Sequence, residues 1–233
     1  MAIYFMSSMY ETIMELPLFK GVSHDKISEL IETTKFHFLK YGNGETIIES
    51  GETCTHLRFL VSGSILRRTA SINRKVVVSE IIDAPNVIGP ERLFGIDTTY
   101  PFTVTAHGEC GILQIDKADY INILQNDKLF IFNILNMLSR NHQKNIQAVL
   151  SLSSGSVAER LAFIVLSLTQ RGSRELKVEF RQKDMCAMLG VQRTSLMNSL
   201  NTLAKQGVIT FTTSEISVID RELLLQVFQS SEN

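Results

Sequence analysis

Residues 180–218 read FRQKDMCAMLGVQRTSLMNSLNTLAKQGVITFTTSEISV and carry a regular alternation of apolar patterns and turn signals. The segment Gln182–Leu189 is predicted to be a helix because apolar side chains recur in it at helical spacing. Its predicted apolar face consists of Met185, Met188 and Leu189. Gly190 follows, and glycine readily takes the left-handed conformation that ends a helix. The segment therefore predicts a helix that stops in a tight turn.

Gln192 opens a second predicted helix, which closes at Lys205–Gly207. Its predicted buried side consists of Leu196, Leu200 and Leu203. Beyond it, Val208–Thr212 and Glu215–Val218 are β-rich segments that predict a hairpin. Helix, turn, helix and hairpin together indicate a winged helix-turn-helix, whose second helix lies in the DNA major groove. The alternative is a small helical subdomain with solvated polar residues.

The exposed side of the second helix is the predicted DNA-reading surface. Arg193 suits the acceptors of guanine and Asn198 suits the edge of adenine. The predicted DNA-binding residues are Lys183, Gln192, Arg193, Thr194, Ser195 and Asn198. The net charge of the region gives little support to DNA binding, because residues 155–233 hold nine Lys/Arg and eight Asp/Glu. The prediction of DNA binding therefore depends on cations close to the motif, namely Lys177, Arg181, Lys183, Arg193 and Lys205.

The N-terminal part of the chain is predicted to form a β-sandwich or roll. Seven or eight short β-rich segments follow Thr33 at intervals of roughly ten residues, including Val76–Ile82. A helix precedes them, with Ser23 as its N-cap and an inner face made of Ile27, Leu30 and Ile31. Asp116 is predicted to cap a short helix at Lys117–Leu124 after the last strand.

A long helix is predicted over residues 126–152, with a seam at coiled-coil spacing. The predicted dimer seam consists of Ile131, Leu135, Leu138, His142, Asn145 and Val149. The polar members His142 and Asn145 can fix register and two-strandedness. The seam predicts a homodimer, which would present two recognition helices about 34–36 Å apart. The alternative is that the apolar stripe packs on its own β-domain.

The serine-glycine cluster Ser151–Ser156 is the predicted hinge between domains. Three parts are therefore predicted: an effector-sensing roll at 1–125, a dimerisation helix and hinge at 126–154, and a DNA-binding domain at 155–233. The last begins with a helix, Val157–Leu168, whose predicted inner face is Leu161, Ile164, Val165 and Leu168. A strand follows in which Leu176, Val178 and Phe180 face inward.

Other function classes find little support in the sequence. Its three cysteines are scattered and lack the spacing of a zinc or iron-sulfur site, which fits a reduced cytosolic compartment. No apolar stretch is long enough to cross a membrane, and no basic residue precedes the first apolar run as in a signal peptide. A P-loop, a G-x-S-x-G motif and metal-ligand spacing are all absent. We therefore expect a cytoplasmic protein that is not an enzyme and needs no metal or cofactor.

The order of roll, long helix, hinge and winged helix resembles the Crp/Fnr family of bacterial transcription regulators over nearly the whole chain. The residues that carry the resemblance are Leu18–Phe19, Gly44–Ile47, Gly51–Glu52, Val61–Ser64, Ile88–Gly89, Leu93–Phe94, Arg160–Ala162 and Gly190–Leu196. The resemblance implies an α+β protein with a cyclic-nucleotide-binding-like jelly roll, a dimerisation helix and a winged helix-turn-helix. It also implies a homodimer that binds double-stranded DNA and regulates transcription, with RNA polymerase as a further expected partner.

The resemblance fails at the cyclic-nucleotide site. In relatives that bind cyclic AMP, a glutamate, an arginine and a serine hold the ribose and phosphate, and Pro90, Tyr100 and Pro101 take their positions here. None of the three supplies the required charge or donors. The degenerate effector pocket consists of Gly89, Pro90, Arg92, Tyr100, Pro101 and Asn145. We therefore expect no response to cyclic AMP.

Several alternatives about the signal remain open at this point. The effector is an unknown small molecule, or there is none. Arg92 serves another anion or is a surface residue. The first fifty residues hold no cysteine, which disfavours an iron-sulfur sensor, and His56 and His107 are expected to be structural or surface residues. A second function class is a protein-interaction or ligand-sensing module whose winged helix no longer reads DNA.

Overall fold

The computed structural model describes residues 11, 13–71, 74–170 and 172–229. Side chains at 17, 141, 142, 144–154, 228 and 229 lie outside this description. The chain divides into two compact units. The first contains residues up to Leu66 together with Ile82–Asn141, and the second contains Arg67–Ile81 together with His142–Asn233. Within the described part of the chain, no helix combines the length and apolarity that crossing a bilayer requires.

The first unit is an antiparallel β-roll with short helices at its ends, as predicted. Its elements are α1 (His24–Thr33), β1 (Phe36–Tyr41), β2 (Thr46–Ile48), most of β3 (His56–Ala70), the end of β4 (Val76–Asp83), β5 (Asn86–Ile88), β6 (Phe102–Asp116), α2 (Lys117–Asn126) and the first half of α3 (Lys128–Ser154). Strands β3 and β6 each span 15 residues, so they are longer than the short strands that the sequence predicts.

Strand β6 is the central strand of this roll. It pairs antiparallel with β1, from Ile115 opposite Phe36 to Cys110 opposite Tyr41, and also with β2. On its other side it neighbours β3, which in turn pairs with β5. The core is apolar and includes aromatic pairs, with the Phe19 ring centroid 5.5 Å from that of Phe59 and 5.3 Å from that of Phe130.

The two helix caps predicted for this unit differ in outcome. The Ser23 side chain accepts a hydrogen bond from the Lys26 amide, which confirms it as the N-cap of α1. Asp116 stands at the N-cap position of α2 but makes no side-chain cap bond. Its carboxylate instead lies 2.8 Å from Nε2 of His56. The predicted N-cap position of Asp116 is therefore confirmed, but its carboxylate contacts the His56 imidazole and does not bond to a backbone amide of the helix.

Helix α3 carries two apolar stripes rather than one. Phe130 and Ile134 are buried in the core of the roll, whereas Ile131 and Leu135 are 37% and 54% exposed. Leu138 is half-buried and packs against the same core. Part of the predicted seam is therefore on the surface, and part of the helix packs on its own β-domain. The side chains of His142, Asn145 and Val149 lie outside the described residues.

The second unit contains the winged-helix elements and the tip of the long hairpin formed by β3 and β4. Its further elements are α4 (Val157–Leu168), β7 (Arg174–Phe180), α5 (Gln182–Leu189), α6 (Arg193–Lys205), β8 (Ile209–Phe211), β9 (Glu215–Val218) and α7 (Arg221–Gln229). Its sheet runs in the order β4, β7, β9, β8. In that sheet, Val76 of β4 lies opposite Phe180 of β7. The expectation that Val76–Ile82 belongs to the roll is therefore wrong for Val76–Ile81.

Helix α4 begins with a capping box in which Ser156 and Glu159 satisfy each other's backbone amides. Leu161, Ile164 and Val165 are buried as predicted, but Leu168 is 37% exposed, so its predicted burial is wrong. Leu168 is the last residue of the helix, and the chain turns away there. Helix α3 continues through most of the predicted hinge and ends at Ser154.

Candidate functional site

The turn between α5 and α6 is built around Gly190. Helix α5 ends there with Gly190 at φ 66° and ψ 36°, the left-handed conformation predicted from the sequence. The amides of Gly190 and Val191 both donate to the carbonyl of Cys186. Met185 and Leu189 are buried, whereas Met188 is 42% exposed and so does not belong to the buried face predicted for it.

Helix α6 turns its polar side outward because its apolar side is buried. Leu196, Leu200 and Leu203 are almost fully buried, as predicted. The opposite surface at the start of the helix is exposed, and it carries Gln192, Arg193, Thr194, Ser195 and Asn198. Lys183 on α5 is exposed as well. All six predicted DNA-binding residues are thus accessible, and their role stays a prediction.

Arg160 fixes the position of α5 relative to the start of α4. Its Nε donates to the Gly155 carbonyl at 2.9 Å, and its Nη1 donates to the Leu189 carbonyl at 3.0 Å. The second bond satisfies a carbonyl at the C-terminus of α5, where a positive charge is also favoured by the helix dipole. Arg160 is therefore a positioning residue for the turn. The sequence indicated it only as part of a family motif, because a carbonyl partner 29 residues away leaves no local pattern.

The hairpin after α6 forms a wing with a short polar turn, Thr212–Ser214, which we call the wing turn. The Thr212 amide donates to the Glu215 carbonyl at 2.8 Å, and the Thr212 hydroxyl accepts from the Glu215 amide at 3.1 Å. The wing turn contains no charged side chain. Its polar surface can donate hydrogen bonds to a ligand but adds no positive charge.

In the roll, Tyr100 and Gly89 of the predicted effector pocket pack against each other. Tyr100 is only 1% exposed, and its hydroxyl donates to Sγ of Cys54 at 2.9 Å. Gly89 lies directly against it at φ 54°, where an added Cβ would come within 2.9 Å of the rings of Tyr100 and Phe102. Glycine is therefore required at position 89 by both backbone conformation and the close approach of the aromatic rings.

The other predicted pocket residues do not form an anion site. Pro90 is buried in a short 3-10 helix, Pro90–Arg92, and Pro101 is exposed. Nη1 of Arg92 lies 3.2 Å from an Asp97 carboxylate oxygen, so this guanidinium already has a carboxylate partner. The pairing favours a surface role for Arg92 over the alternative of a second anion site. Asn145 carries no described side chain, so its place in the pocket stays a prediction.

Two protein families match the chain, one in its N-terminal part and one in its C-terminal part. The family described as "Cyclic nucleotide-binding domain" matches residues 38–127, and the family described as "Crp-like helix-turn-helix domain" matches residues 159–227. Together the matches cover more than half of the chain. The chain belongs to the Crp/Fnr family.

Individual proteins similar to the chain include regulators and a channel. The chain is 22% identical over 217 residues to the Cyclic AMP receptor protein of Thermus thermophilus, covering 91% of this chain and 96% of that protein. It is 27% identical over 170 residues to Potassium channel GORK of Arabidopsis thaliana, which covers 69% of this chain but 20% of the channel. The solved Thermus thermophilus catabolite activator protein shares the fold, with a TM-score of 0.54 at 19% identity, covering 92% of this chain and 99% of that one.

Burial changes the acid-base chemistry of Tyr100 and Cys54. Burial and the hydrogen bond with Cys54 raise the pKa of the Tyr100 hydroxyl well above its ordinary value. Burial likewise raises the pKa of the Cys54 thiol. Both groups therefore stay neutral at pH 7, and the contact between them is an uncharged hydrogen bond.

We predict that Tyr100→Phe destabilises the protein by about 1 kcal/mol at pH 7, the usual contribution of one intramolecular hydrogen bond. Because the folded-state pKa is raised, the neutral phenol favours the folded state below pH ~10 and this contribution is lost as pH rises further. The variant should therefore lose less stability than the wild type between pH 9 and pH 11. Urea denaturation followed by circular dichroism measures both effects, and identical pH dependence in the two proteins would contradict the assignment.

Proposed function

We propose that this Crp/Fnr-type transcription regulator acts as a homodimer on a two-fold-repeat DNA site and does not respond to cyclic AMP. The observation that carries the proposal is the exposed first turn of α6, from Arg193 to Ser195, on a helix whose other side is fully buried. A helix presented in this way can enter the major groove with its N-terminal residues against the base edges.

The chemistry of the exposed residues supports separate roles in DNA binding. Arg193 can bond bidentately to the O6 and N7 acceptors of guanine, and Asn198 to the N6 and N7 groups of adenine. Ser195 and Lys183 supply a hydroxyl and a charge suited to phosphate oxygens. The hydrogen bonds from Arg160 keep α5 and the turn in place, so these side chains are presented on a rigid support.

The exposed apolar residues of α3 support the homodimer. Ile131 and Leu135 stand on one stripe, and Phe132 beside them is 65% exposed. A second copy of the same helix would bury these side chains at the spacing of a coiled-coil seam. Removing these apolar side chains from water favours association of the two copies. In such a dimer, two α6 helices read the two halves of a repeated site.

The burial of Tyr100 supports the absence of a cyclic AMP response. Tyr100 takes the sequence position at which the resemblance implies the phosphate-binding arginine, and tyrosine supplies no cation there. The nearby guanidinium of Arg58 is held by Glu52, with Nη2 2.9 Å from Oε1. A nucleotide phosphate bound here would have to displace the buried Tyr100 ring. It would not gain the positive charge that the phosphate-binding arginine supplies in relatives that bind cyclic AMP. The relatives named for cyclic AMP therefore share the fold of the roll but do not define its ligand here.

We predict that isothermal titration of the protein with cyclic AMP gives no binding heat at micromolar concentrations. The reason is that Pro90, Tyr100 and Pro101 offer neither a charge nor a side-chain donor for the cyclic phosphate beyond the buried phenol. A saturating heat with a dissociation constant in the micromolar range or below would contradict the proposal. A well-characterised cyclic AMP-binding relative serves as the positive control.

We predict that replacing Ile131 and Leu135 together by aspartate converts a dimer into a monomer, because like charges would then face each other across the seam. Both side chains are exposed within one chain, so the fold of the subunit should be retained. Phe38→Asp, at a 51% exposed apolar site on β1, is the matched control and should stay dimeric. Sedimentation velocity gives the masses, and a wild type that stays monomeric at every concentration would refute the homodimer.

We predict that DNA fragments recovered on the purified protein share a two-fold repeat. Arg193→Ala should weaken binding to that repeat by about 1–3 kcal/mol and relax preference at one base position. Lys35→Ala, which removes one exposed charge from the roll, is the control and should leave both properties unchanged. Equal weakening by Arg193→Ala on all sequences would show that this residue contacts phosphate alone.

A further inference from the structure

The tip of the long β3–β4 hairpin lies within the DNA-binding unit, at the edge of its sheet. Strand β4 pairs antiparallel with β7, with Val76 opposite Phe180 and Val78 opposite Val178. We call the described residues of this turn the hairpin tip, namely Ser71, Arg74 and Lys75. Its backbone is well organised, because the Ser71 hydroxyl accepts from the amides of both Lys75 and Val76 at 3.1 Å.

A buried ion pair holds the hairpin in this place. Arg67 on β3 and Glu80 on β4 form a salt bridge, and the Glu80 side chain is 2% exposed. Glu80 also accepts from the Gln170 amide at 2.8 Å, and Arg67 donates to the Leu168 carbonyl at 3.1 Å. Buried charges are stable only when they are paired and hydrogen-bonded, so this arrangement resists small displacements. These bonds tie both strands of the hairpin to the residues at the end of α4.

Strand register brings the hairpin tip to the same end of the sheet as the wing turn. Strand β7 pairs on its other side with β9, with Glu179 opposite Glu215, and the Phe180 amide donates to the Ser214 carbonyl at 2.9 Å. The end of β7 is therefore level with the wing turn on one side and with Val76 on the other. Helix α5 starts two residues after Phe180, between the two turns.

Charge distinguishes the two turns. The wing turn has no charged residue, whereas Arg74 and Lys75 at the hairpin tip are both exposed. Arg181 and Lys183 at the start of α5 are exposed too. The Lys75 ammonium group lies 3.4 Å from the Asp184 carboxylate, and its side chain is 52% exposed. An ion pair at an exposed site contributes little free energy, so a phosphate can replace Asp184 as the partner of Lys75. Residues 67–81 hold four Lys/Arg and one Glu. The hairpin therefore brings to the unit the positive charge that residues 155–233 largely lack.

We propose that the hairpin tip is a second wing, in which Arg74 and Lys75 contact the sugar-phosphate backbone of DNA outside the segment read by α6. This inference rests on the proposed DNA binding. In a helix-turn-helix complex the first helix crosses the backbone, so cations beside the start of α5 lie next to phosphates. Such contacts add affinity and salt dependence but no sequence preference.

The test compares wild type with a double variant, Arg74→Asn with Lys75→Gln, on a long duplex that carries the recovered repeat. Asparagine suits position 74 because Arg74 has φ 53°, a left-handed conformation that asparagine tolerates. The expected result is a plot of log affinity against log salt that is less steep by about 0.9 for each phosphate that the variant no longer neutralises. Preference for the repeat over other sequences should not change. Lys35→Gln with Lys40→Gln removes the same charge from the roll and should keep the wild-type slope.

In a second measurement, the main comparison uses the unaltered protein on two duplexes, so it does not depend on the folding of any variant. Neutral methylphosphonate linkages replace the phosphates flanking the repeat, and the salt slope of wild-type binding should fall by the same amount. The double variant should not respond to this replacement. A wild type that is insensitive to the neutral linkages, or a double variant with the wild-type slope, would overturn the second wing.

The outcomes separate this inference from the proposed function. If the wild type binds no duplex DNA at any salt concentration, the proposed function fails and the second wing fails with it. If the wild type binds the repeat with a preference that depends on Arg193, but the tip variant behaves like wild type, only the second wing is refuted.

Discussion

The burial of one side of α6 is the constraint on which the DNA-binding unit depends. Leu196, Leu200 and Leu203 repeat at spacings of four and three, so they form a single stripe that must face the core. Once that stripe is buried, the rotation of the helix about its axis is fixed, and Arg193 and Asn198 have to face solvent. The same core includes α4 and β7, so the elements around the helix share one apolar interior. Hydrophobic packing thus determines which residues of α6 are exposed.

Features that depend on neighbouring residues were predictable from the sequence. Helix α5, its left-handed end at Gly190 and the inward side of α6 follow from local periodicity and from the conformational freedom of glycine. The predicted inward-facing side chains were wrong at the edges of two apolar stripes. Met188 and Leu168 have the right spacing for burial, but each lies at the edge of its stripe, where the position of the next element decides the exposure.

Features that depend on partners distant in the chain could not be predicted. Strand β4 has the composition of any buried strand, and nothing in it indicates that its partner is β7, about a hundred residues later. On α3, the buried residues Phe130 and Ile134 and the exposed residues Ile131 and Leu135 are equally apolar. Only the packing of the roll distinguishes them. The sequence showed that Tyr100 stands where the resemblance implies an arginine. The packing of its ring against Gly89 could be seen only in the structure.

The Arg67–Glu80 pair has a consequence for how this architecture can be recombined. At the end of α4, the Leu168 carbonyl accepts a hydrogen bond from Arg67 and the Gln170 amide donates one to Glu80. Both side chains come much earlier in the sequence than α4. A chimera joined at Gly155 would take the Leu168 carbonyl and the Gln170 amide from one parent and the ion pair from the other. Unless the parent of the N-terminal part carried an equivalent pair, the graft would leave that carbonyl and that amide without their side-chain partners. A transfer of this chain's C-terminal module would therefore have to include the β3–β4 hairpin as well.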